Sequence, residues 1–290
     1  MPWFLSDSLP EYSATVGGLV ARRPAQHTIL LGAIETLRAA GTRAFGAIAP
    51  LFGWWQEPDG EVSAAFLHTP PFPVALTSVP VPAAVALAQA LAARARAVGG
   101  VNADPGSAEA FARAWHELTG DTSELRMRSR LFQLGGLRWP DPRPPGQARV
   151  AGPADRSLLI AWSEAFHREA QSGPEDVVSM VDDRLSYRGL SLWEDAGQPV
   201  SMAGLTRITA GQARVGPVYT PPGLRGRGYA GALTCVVSQA ALDAGADRVL
   251  LFTDLANPTS NALYQRLGYQ PLEDRAVWSF HPSPAGDTAG

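Results

Sequence analysis

One short stretch, residues 213–230 with the sequence ARVGPVYTPPGLRGRGYA, constrains the fold of this chain more than any other. A β-branched run from Val215 to Thr220 stops at two prolines, and a glycine-rich loop then leads directly into a helical pattern. Glycines let backbone amides approach an anion closely, and a helix N-terminus adds unpaired N–H groups and a partial positive charge of roughly half a unit. The stretch therefore predicts a strand, a loop and a helix that cradle a pyrophosphate.

Composition and charge favour a soluble globular protein of two domains. Of the 290 residues, 46% are hydrophobic and 18% are charged, which provides ample material for two hydrophobic cores. With 24 Lys and Arg against 27 Asp and Glu, the formal net charge is -3. We therefore expect neither a nucleic-acid partner nor binding to an anionic membrane.

Cysteine and histidine usage predicts a protein that binds no metal and lies in a reducing compartment. The single cysteine, Cys235, excludes an intrachain disulfide and a thiolate-rich zinc site, and its apolar helical setting predicts a small buried hydrophobe. The five histidines show no metal-ligand spacing. The first residues, MPWFLSDSLPEYS, carry neither a basic region nor a long apolar run and predict neither a signal peptide nor a membrane anchor. These features together predict a cytoplasmic protein.

Hydrophobic periodicity and turn residues predict alternating helices and strands along the first half of the chain. The turn between its first two strands contains Asp59-Gly60, a strong hairpin signal. The predicted elements are a helix at 22–40, strands at 45–55, 62–67 and 74–79, helices at 83–98 and 108–118, and a strand at 125–134.

The segment at 139–146, WPDPRPPG, contains four prolines and predicts a linker, because proline disfavours both a helix interior and a central strand. Beyond it the pattern begins again. The predicted elements are a strand at 148–152, helices at 155–171 and 174–187, strands at 190–194, 200–209 and 215–220, a helix at 228–244, a strand at 248–254, a helix at 260–267 and a strand at 276–280.

Both halves repeat one order of helix, hairpin, strand, helix, helix and strand, which suggests a tandem duplication. We expect domains at 1–138 and 147–281, joined by the linker at 139–146 and followed by a disordered tail at 282–290. In the first half, Val79-Pro80-Val81-Pro82 stands where the second half has its glycine loop. Proline nitrogens carry no hydrogen, so we expect no phosphate cradle there.

A second motif, NPTSNALYQRLGY, begins at Asn257 after the next predicted strand. With the glycine loop, it makes residues 146–281 resemble the GNAT superfamily of acyl-CoA-dependent N-acyltransferases. The residues that fit the family's Arg/Gln-x-x-Gly-x-Gly/Ala loop and its Asn-x7-Tyr-x3-Gly-aromatic motif are Arg225, Gly228, Ala230, Asn257, Tyr264, Gly268 and Tyr269. The resemblance implies an α/β (α+β) fold of two tandem GNAT-like domains, each a mixed, mostly antiparallel sheet flanked by helices, with the first domain degenerate.

The resemblance also implies acetyl-CoA as co-substrate. It assigns the pyrophosphate to loop backbone amides and arginine side chains, the pantetheine arm to backbone groups of an edge strand that splays from its neighbour after Tyr219, and a further hydrogen bond to an asparagine. The residues so assigned are Val218, Tyr219, Thr220, Arg225, Gly226, Arg227, Gly228, Tyr229, Ala230 and Asn257.

Tyr264 occupies the family's general-acid position, where a hydroxyl protonates the departing thiolate. A thiol has a pKa of about 8.5 and a tyrosine one of about 10, so the proton transfer is uphill by roughly 2 kcal/mol. The hydroxyl is therefore expected to act mainly as a hydrogen-bond donor. The alternative is a tyrosine that simply packs on the sheet. The first half places Phe111 at the corresponding position.

The general base is not indicated by the motifs, because residues 213–219 contain no carboxylate, unlike many family members. Deprotonating an amine of pKa about 10.4 at pH 7 costs roughly 4.6 kcal/mol. Either a water relay or a weakly basic acceptor is therefore expected. By family topology alone, the candidate bases are Glu164, His167, Glu169 and Glu194, although a solvated helix face is the simpler interpretation of each.

We expect an N-acetyltransferase that acylates a primary amine of a small molecule or a peptide by direct attack, acting as a monomer or a homodimer. The alternatives are a non-catalytic acyl-CoA sensor or scaffold, and acetylation of proteins rather than small molecules. A Rossmann or P-loop site is disfavoured, because the loop lacks the first glycine of G-x-G-x-x-G and has no Gly-Lys-Ser/Thr.

Overall fold

The computed structural model describes residues 3–170 and 176–283. Its contacts divide the chain into two compact units. Unit 1 consists of Met1–Ser129 and Glu273–Gly290, and unit 2 of Arg130–Leu272.

Unit 1 begins with a short strand and a helix that the sequence patterns did not predict, before the helix that was expected at 22–40. Ser8 caps the first helix by accepting from the Glu11 amide, and Asp104 caps the last one by accepting from the amides of Gly106 and Ser107. The elements are β1 (Trp3–Ser6), α1 (Leu9–Arg22), α2 (Thr28–Ala40), β2 (Leu51–Gln56), β3 (Val62–His68), β4 (Val74–Leu76), α3 (Val81–Ala92), β5 (Gly100–Ala103), α4 (Pro105–Thr119) and β6 (Thr122–Leu134), which passes into unit 2 at Arg130.

Unit 2 repeats this order of elements. They are β7 (Gln147–Val150), α5 (Arg156–Ala170), α6 (Val177–Ser186), β8 (Leu190–Asp195), β9 (Gln198–Leu205), β10 (Gln212–Tyr219), α7 (Tyr229–Asp243), β11 (Arg248–Asp254), α8 (Pro258–Arg266) and β12 (Tyr269–His281), which passes into unit 1 at Glu273. Gln171 and Pro174, the predicted end of one helix and start of the next, lie outside the described residues.

In each unit, one pair of helices covers one face of the sheet and a second pair covers the other face. In unit 1, Phe52 packs with α1 and α2, whereas Leu51 packs with α3 and α4, as expected for alternating side chains on a strand. In unit 2, Tyr219 packs with α5 and α6, whereas Val215 packs with α7 and α8. The strand pairs β4/β5 and β10/β11 are parallel, and β1/β2, β2/β3, β3/β4, β5/β12, β7/β8, β8/β9 and β9/β10 are antiparallel. This mixed, mostly antiparallel arrangement agrees with the expected fold class.

The division into units differs from the expected domains at 1–138 and 147–281. Ala276–Ser279 of β12 pairs with Gly100–Ala103 of β5, so the C-terminal strand completes the sheet of unit 1. Conversely, β6 lies next to β11 in the sheet. The physical reason is an exchange of last strands between the two halves of the sequence, which hydrophobic periodicity does not reveal.

Smaller differences concern where single elements begin. The helix expected at 22–40 begins at Thr28, and the strand expected at 45–55 begins at Leu51. The strand β5 begins at the second glycine of Gly99-Gly100, a pair that suggested only a helix stop. Of the expected tail, Ser283 donates a hydrogen bond to the carbonyl of Gly120, and residues 284–290 lie outside the described residues.

Candidate active site

The strands β10 and β11 separate early along their length. They pair only at Gln212, Ala213 and Arg214 of β10, and within the described chain the rest of β10 pairs with β9 alone. Gly216 and Pro217 form an irregularity at this point; Gly216 has a φ of +145° and proline cannot donate to a strand ladder. The gap therefore opens after Arg214, five residues earlier than the expected opening after Tyr219.

A side chain from α6 holds this irregularity in place. Arg184 donates from Nη1 to the carbonyl of Gly216. Gly204 on the neighbouring strand makes room for the contact, because a Cβ there would lie 2.7 Å from the Gly216 oxygen. Sequence patterns did not single out Arg184, since nothing local to α6 distinguishes it from a solvated helix arginine.

The glycine loop has the geometry that its sequence predicted. Gly226 and Gly228 have φ values of +78° and +85°, in the region that favours glycine. Gly228 is the N-cap of α7, and the first helical bond of α7 is from the Ala232 amide to the Gly228 carbonyl at 3.1 Å. The amides of Tyr229 and Ala230 precede that bond, so they can bind an anion at the helix N-terminus.

Arg225 connects this loop to the end of α5. Its Nη2 lies 2.6 Å from Oε2 of Glu169, and its Nε donates to the carbonyl of Thr220 at 2.8 Å. The Tyr219 hydroxyl donates to Oε1 of Glu169 at 3.3 Å, and burial followed by the Glu169 charge raises the pKa of Tyr219. Because the arginine and the carboxylate are about half exposed, the ion pair contributes at most about 1 kcal/mol to stability.

Two of the backbone carbonyls assigned to the pantetheine arm already accept a hydrogen bond. Ser201 donates from Oγ to the Tyr219 carbonyl at 3.0 Å and contacts Oγ1 of Thr220 at 2.9 Å. Arg225 bonds the Thr220 carbonyl as described above. A carbonyl oxygen has two lone pairs, so a ligand would have to share these two acceptors. Ser201 is fully buried and carries no sequence signal of its own.

Tyr264 lies on the buried face of α8, in the same hydrophobic cluster as Val215 and Tyr229. Only 8% of its surface is exposed, its ring meets Tyr269 edge-to-face at 6.0 Å, and burial raises its pKa to about 12. The hydroxyl is therefore protonated at neutral pH, as a hydrogen-bond donor must be.

Asn257 is the N-cap of α8, and its Oδ1 accepts from the Ser260 amide at 3.0 Å. Asn261 holds the same turn: its Nδ2 donates to the carbonyls of Asp254 and Asn257 at 2.7 Å each, and its Oδ1 accepts from Thr253 at 2.7 Å. The sequence motif singled out Asn257 but not Asn261, whose three contacts fix where α8 begins.

Of the four candidate bases, Glu169 is the one that contacts the strand leading into the loop. Glu194 lies 2.7 Å from Arg149 and Glu164 lies 4.0 Å from Arg168, which fits structural ion pairs. The His167 ring meets its neighbour Phe166 at 5.4 Å.

The corresponding gap of unit 1 is filled by its own side chains. Arg275, only 4% exposed, donates from Nη2 to the carbonyls of Leu76 on β4 and Asn102 on β5 at 3.1 and 2.8 Å. Ser107 Oγ lies 2.9 Å from both the amide and the carbonyl of Val79, three residues after the end of β4.

The features that could bind and polarise a thioester also differ in unit 1. Pro80 is the N-cap of α3, and Pro82 lies in its first turn without an N–H group. Phe111 on α4 stands seven residues after the cap Asp104, as Tyr264 stands after Asn257, and it is fully buried against Trp115 and Phe280.

Within residues 3–170 and 176–283, no cluster of three or more His, Cys, Asp or Glu side chains could hold a metal ion. Among the helices of those same residues, none is long and apolar enough to cross a membrane.

Comparison with known proteins bears on the identity of this site. The model of the acetyltransferase (GNAT) family matches residues 156–269, a range that contains both the glycine loop and the Asn257 motif. Comparison with curated protein sequences gave no match.

Solved structures are similar over nearly the whole chain. A GCN5-related N-acetyltransferase from Sphaerobacter thermophilus aligns with a TM-score of 0.61 and 18% identity, covering 98% of this chain and 97% of its own. A Drosophila protein aligns with a TM-score of 0.65 and 12% identity (97% and 99% covered), and a GNAT-family acetyltransferase from Colwellia psychrerythraea with 0.58 and 11% (97% and 99%). At these identities the similarity establishes the fold alone, which is that of the GNAT proteins among these structures. Residues 156–269 therefore resemble the acetyltransferase (GNAT) family in sequence and share its fold.

Proposed function

We propose that unit 2 is an N-acetyltransferase that moves an acetyl group from acetyl-CoA to a primary amine. The observation that carries the proposal is the gap between β10 and β11, which opens after Arg214 and leads into the glycine loop that caps α7. A strand with unpaired backbone groups that ends at a helix N-terminus suits a ligand with amides at one end and a pyrophosphate at the other.

The residues present fit coenzyme A. The loop amides from Arg225 to Ala230 would hold the pyrophosphate, with the exposed side chain of Arg227 adding positive charge. A Cβ at Gly226 would meet no atom within 4 Å, so the loop leaves open space there. When bound, the coenzyme supplies the thioester that carries the acyl group.

In the reaction, a carbon–nitrogen bond forms to the acceptor and the carbon–sulfur bond breaks. Tyr264 donates a hydrogen bond to the departing sulfur. Its pKa of about 12 lies above the thiol value of about 8.5, and complete proton transfer would be uphill by about 5 kcal/mol. Hydrogen-bond donation to the developing negative charge is therefore its main contribution.

We assign to the Glu169 carboxylate the role of general base, which accepts the proton released by the amine. Glu169 belongs to α5, and its carboxylate bonds Tyr219, the last residue of β10, and Arg225. A pyrophosphate on the loop would compete with Glu169 for Arg225 and so release one carboxylate oxygen. With this assignment, α5 supplies the carboxylate that residues 213–219 lack.

We further propose that unit 1 is a degenerate copy without a coenzyme site. Arg275 and Ser107 fill the gap beside β4, and prolines replace the loop glycines. The expected binding stoichiometry is therefore one coenzyme A per chain.

The test is coenzyme A release from acetyl-CoA with a panel of small-molecule and peptide amines. We expect turnover with at least one class of amine, and we expect Tyr264→Phe to lower kcat about 100-fold with little change in coenzyme affinity. Tyr12→Phe in unit 1 is the matched control, because that hydroxyl is buried without a partner among the described residues. Binding of acetyl-CoA without turnover across the panel would instead indicate a non-catalytic sensor.

A further inference from the structure

The proline-rich segment at 139–146 is held against the rest of unit 2 by hydrogen bonds near both of its ends. Just before it, the Arg138 amide donates to the Leu267 carbonyl at 2.9 Å, and the Arg138 carbonyl accepts from Sγ of Cys235 on α7 at 3.4 Å. Towards its end, the Pro145 carbonyl accepts from Nε1 of Trp193 at 2.8 Å. The segment is thus fixed at both ends, and it follows α7 on the way.

Within this segment, Pro144 lies against the pyrophosphate loop. Its Cβ, Cγ and Cδ atoms would lie 3.7 to 3.8 Å from a Cβ placed on Gly228, the N-cap of α7. That distance is ordinary van der Waals contact. The residue before Pro144 in the chain is Arg143, so this arginine is adjacent in sequence to the proline that contacts the N-cap of α7.

Arg143 and Trp139 form a stacked pair at the surface. The guanidinium carbon lies 4.5 Å from the centroid of the Trp139 ring, which is 38% exposed. Arg143 is exposed and forms no ion pair with any residue in the described ranges. Its charge also lowers the pKa of Cys235 on α7, against the larger increase that burial causes. A large apolar ring and an unneutralised cation therefore lie together in the segment that contacts the loop through Pro144.

The chemistry of this pair is complementary to the end of coenzyme A beyond its pyrophosphate. That end carries an adenine ring and a 3′-phosphate. Aromatic side chains stack on bases, and guanidinium groups bind phosphate oxygens with charge-assisted hydrogen bonds. The prolines between Trp139 and Gly146 restrict the backbone, so little conformational entropy remains to be lost on binding.

We propose that Trp139 and Arg143 form a subsite for the adenosine 3′-phosphate of coenzyme A, with Trp139 against the adenine and Arg143 at the 3′-phosphate. The inference rests on the proposed coenzyme site of unit 2. It assigns to the segment between the two halves of the chain a role in ligand binding rather than only in connection.

The test is calorimetric binding of three ligands to the full chain: coenzyme A, 3′-dephospho-coenzyme A and 4′-phosphopantetheine. We expect Arg143→Gln to weaken coenzyme A binding about three- to fivefold at low salt and to leave 3′-dephospho-coenzyme A binding unchanged. Trp139→Ala should weaken both nucleotide ligands about tenfold or more, with recovery in Trp139→Phe, and should leave 4′-phosphopantetheine binding unchanged. Arg94→Gln, an exposed arginine of unit 1, is the charge-matched control.

The outcomes separate this inference from the function on which it rests. If the wild type binds none of the three ligands, the coenzyme site itself is wrong. If it binds coenzyme A but Arg143→Gln does not change the ratio of the two nucleotide affinities, the 3′-phosphate assignment is overturned. If Trp139→Ala also loses 4′-phosphopantetheine, Trp139 acts by seating Pro144 rather than by stacking, and the adenine assignment is overturned.

Discussion

Gly226 offers a direct test of the loop, because replacing it by alanine changes only the free energy of its backbone conformation. The residue has a φ of +78°, and an added Cβ would meet no atom within 4 Å. The substitution therefore introduces no clash and only the cost of a left-handed backbone, about 1–2 kcal/mol for a residue with a Cβ.

Where this cost appears depends on whether the loop can relax. Gly226 is exposed and lies outside helices and strands, so we expect the loop to rearrange with no loss of global stability. The cost then appears as weaker binding, because the coenzyme must restore the original backbone. The expected increase in the Kd for coenzyme A is about 5- to 30-fold at an unchanged Tm.

The measurement is calorimetric titration with coenzyme A beside thermal unfolding of the free protein. Gly223→Ala is a closely matched control, because Gly223 lies in the same loop, is equally open to solvent and has no positive φ. Gly226→Asn should fall between the two, since asparagine tolerates the left-handed region better than alanine. Equal effects of Gly223→Ala and Gly226→Ala would refute the argument, and so would full affinity and stability in Gly226→Ala.

Three further predictions concern other parts of the chain. Glu169→Gln should lower kcat about 100-fold for strongly basic amines and much less for amines of low pKa, as rates across an amine series would show. Burial lowers the pKa of His68 to about 4 from its usual 6.5, so the folded state takes up fewer protons than the unfolded state between these values and stability falls on acidification. The free energy of unfolding, measured in urea, should be about 2 kcal/mol lower at pH 5 than at pH 7.5 because of this group. The variant His68→Gln should lack this decrease. Arg275→Ala should destabilise the protein by about 3–5 kcal/mol in the same assay, because it leaves Glu273 without its partner and the carbonyls that it bonds unsatisfied, whereas a solvated arginine would cost almost nothing.

The parts of the site that sequence reasoning found are those made by neighbours in the chain. The positive φ at Gly226 and Gly228 and the cap at Asn257 each depend on residues within one or two turns. The separation of β10 from β11 follows in part from Gly216-Pro217, whose position marks where it begins. Here the resemblance to a family placed the opening at Tyr219, five residues late.

The parts that it missed join residues far apart in the chain. Glu169 and Arg225 are separated by 56 positions, and Arg184 and Gly216 by 32. On the sequence alone, Glu169 was one of four equivalent candidates. The fold distinguishes it from the other two carboxylates, because Glu169 accepts from the Tyr219 hydroxyl, whereas Glu164 and Glu194 pair with arginines.

By itself, the sequence determined the order of elements in unit 2, the glycine loop and the lack of such a loop in the first half, because these depend on local backbone chemistry. Only the tertiary structure decided that the last strand of the chain completes the sheet of unit 1, where Arg275 reaches residues 173 and 199 positions away. It also decided that the proline-rich segment packs on α7. Strand exchange and side-chain packing depend on which surfaces meet after the chain has folded, and periodicity along the chain does not encode that choice.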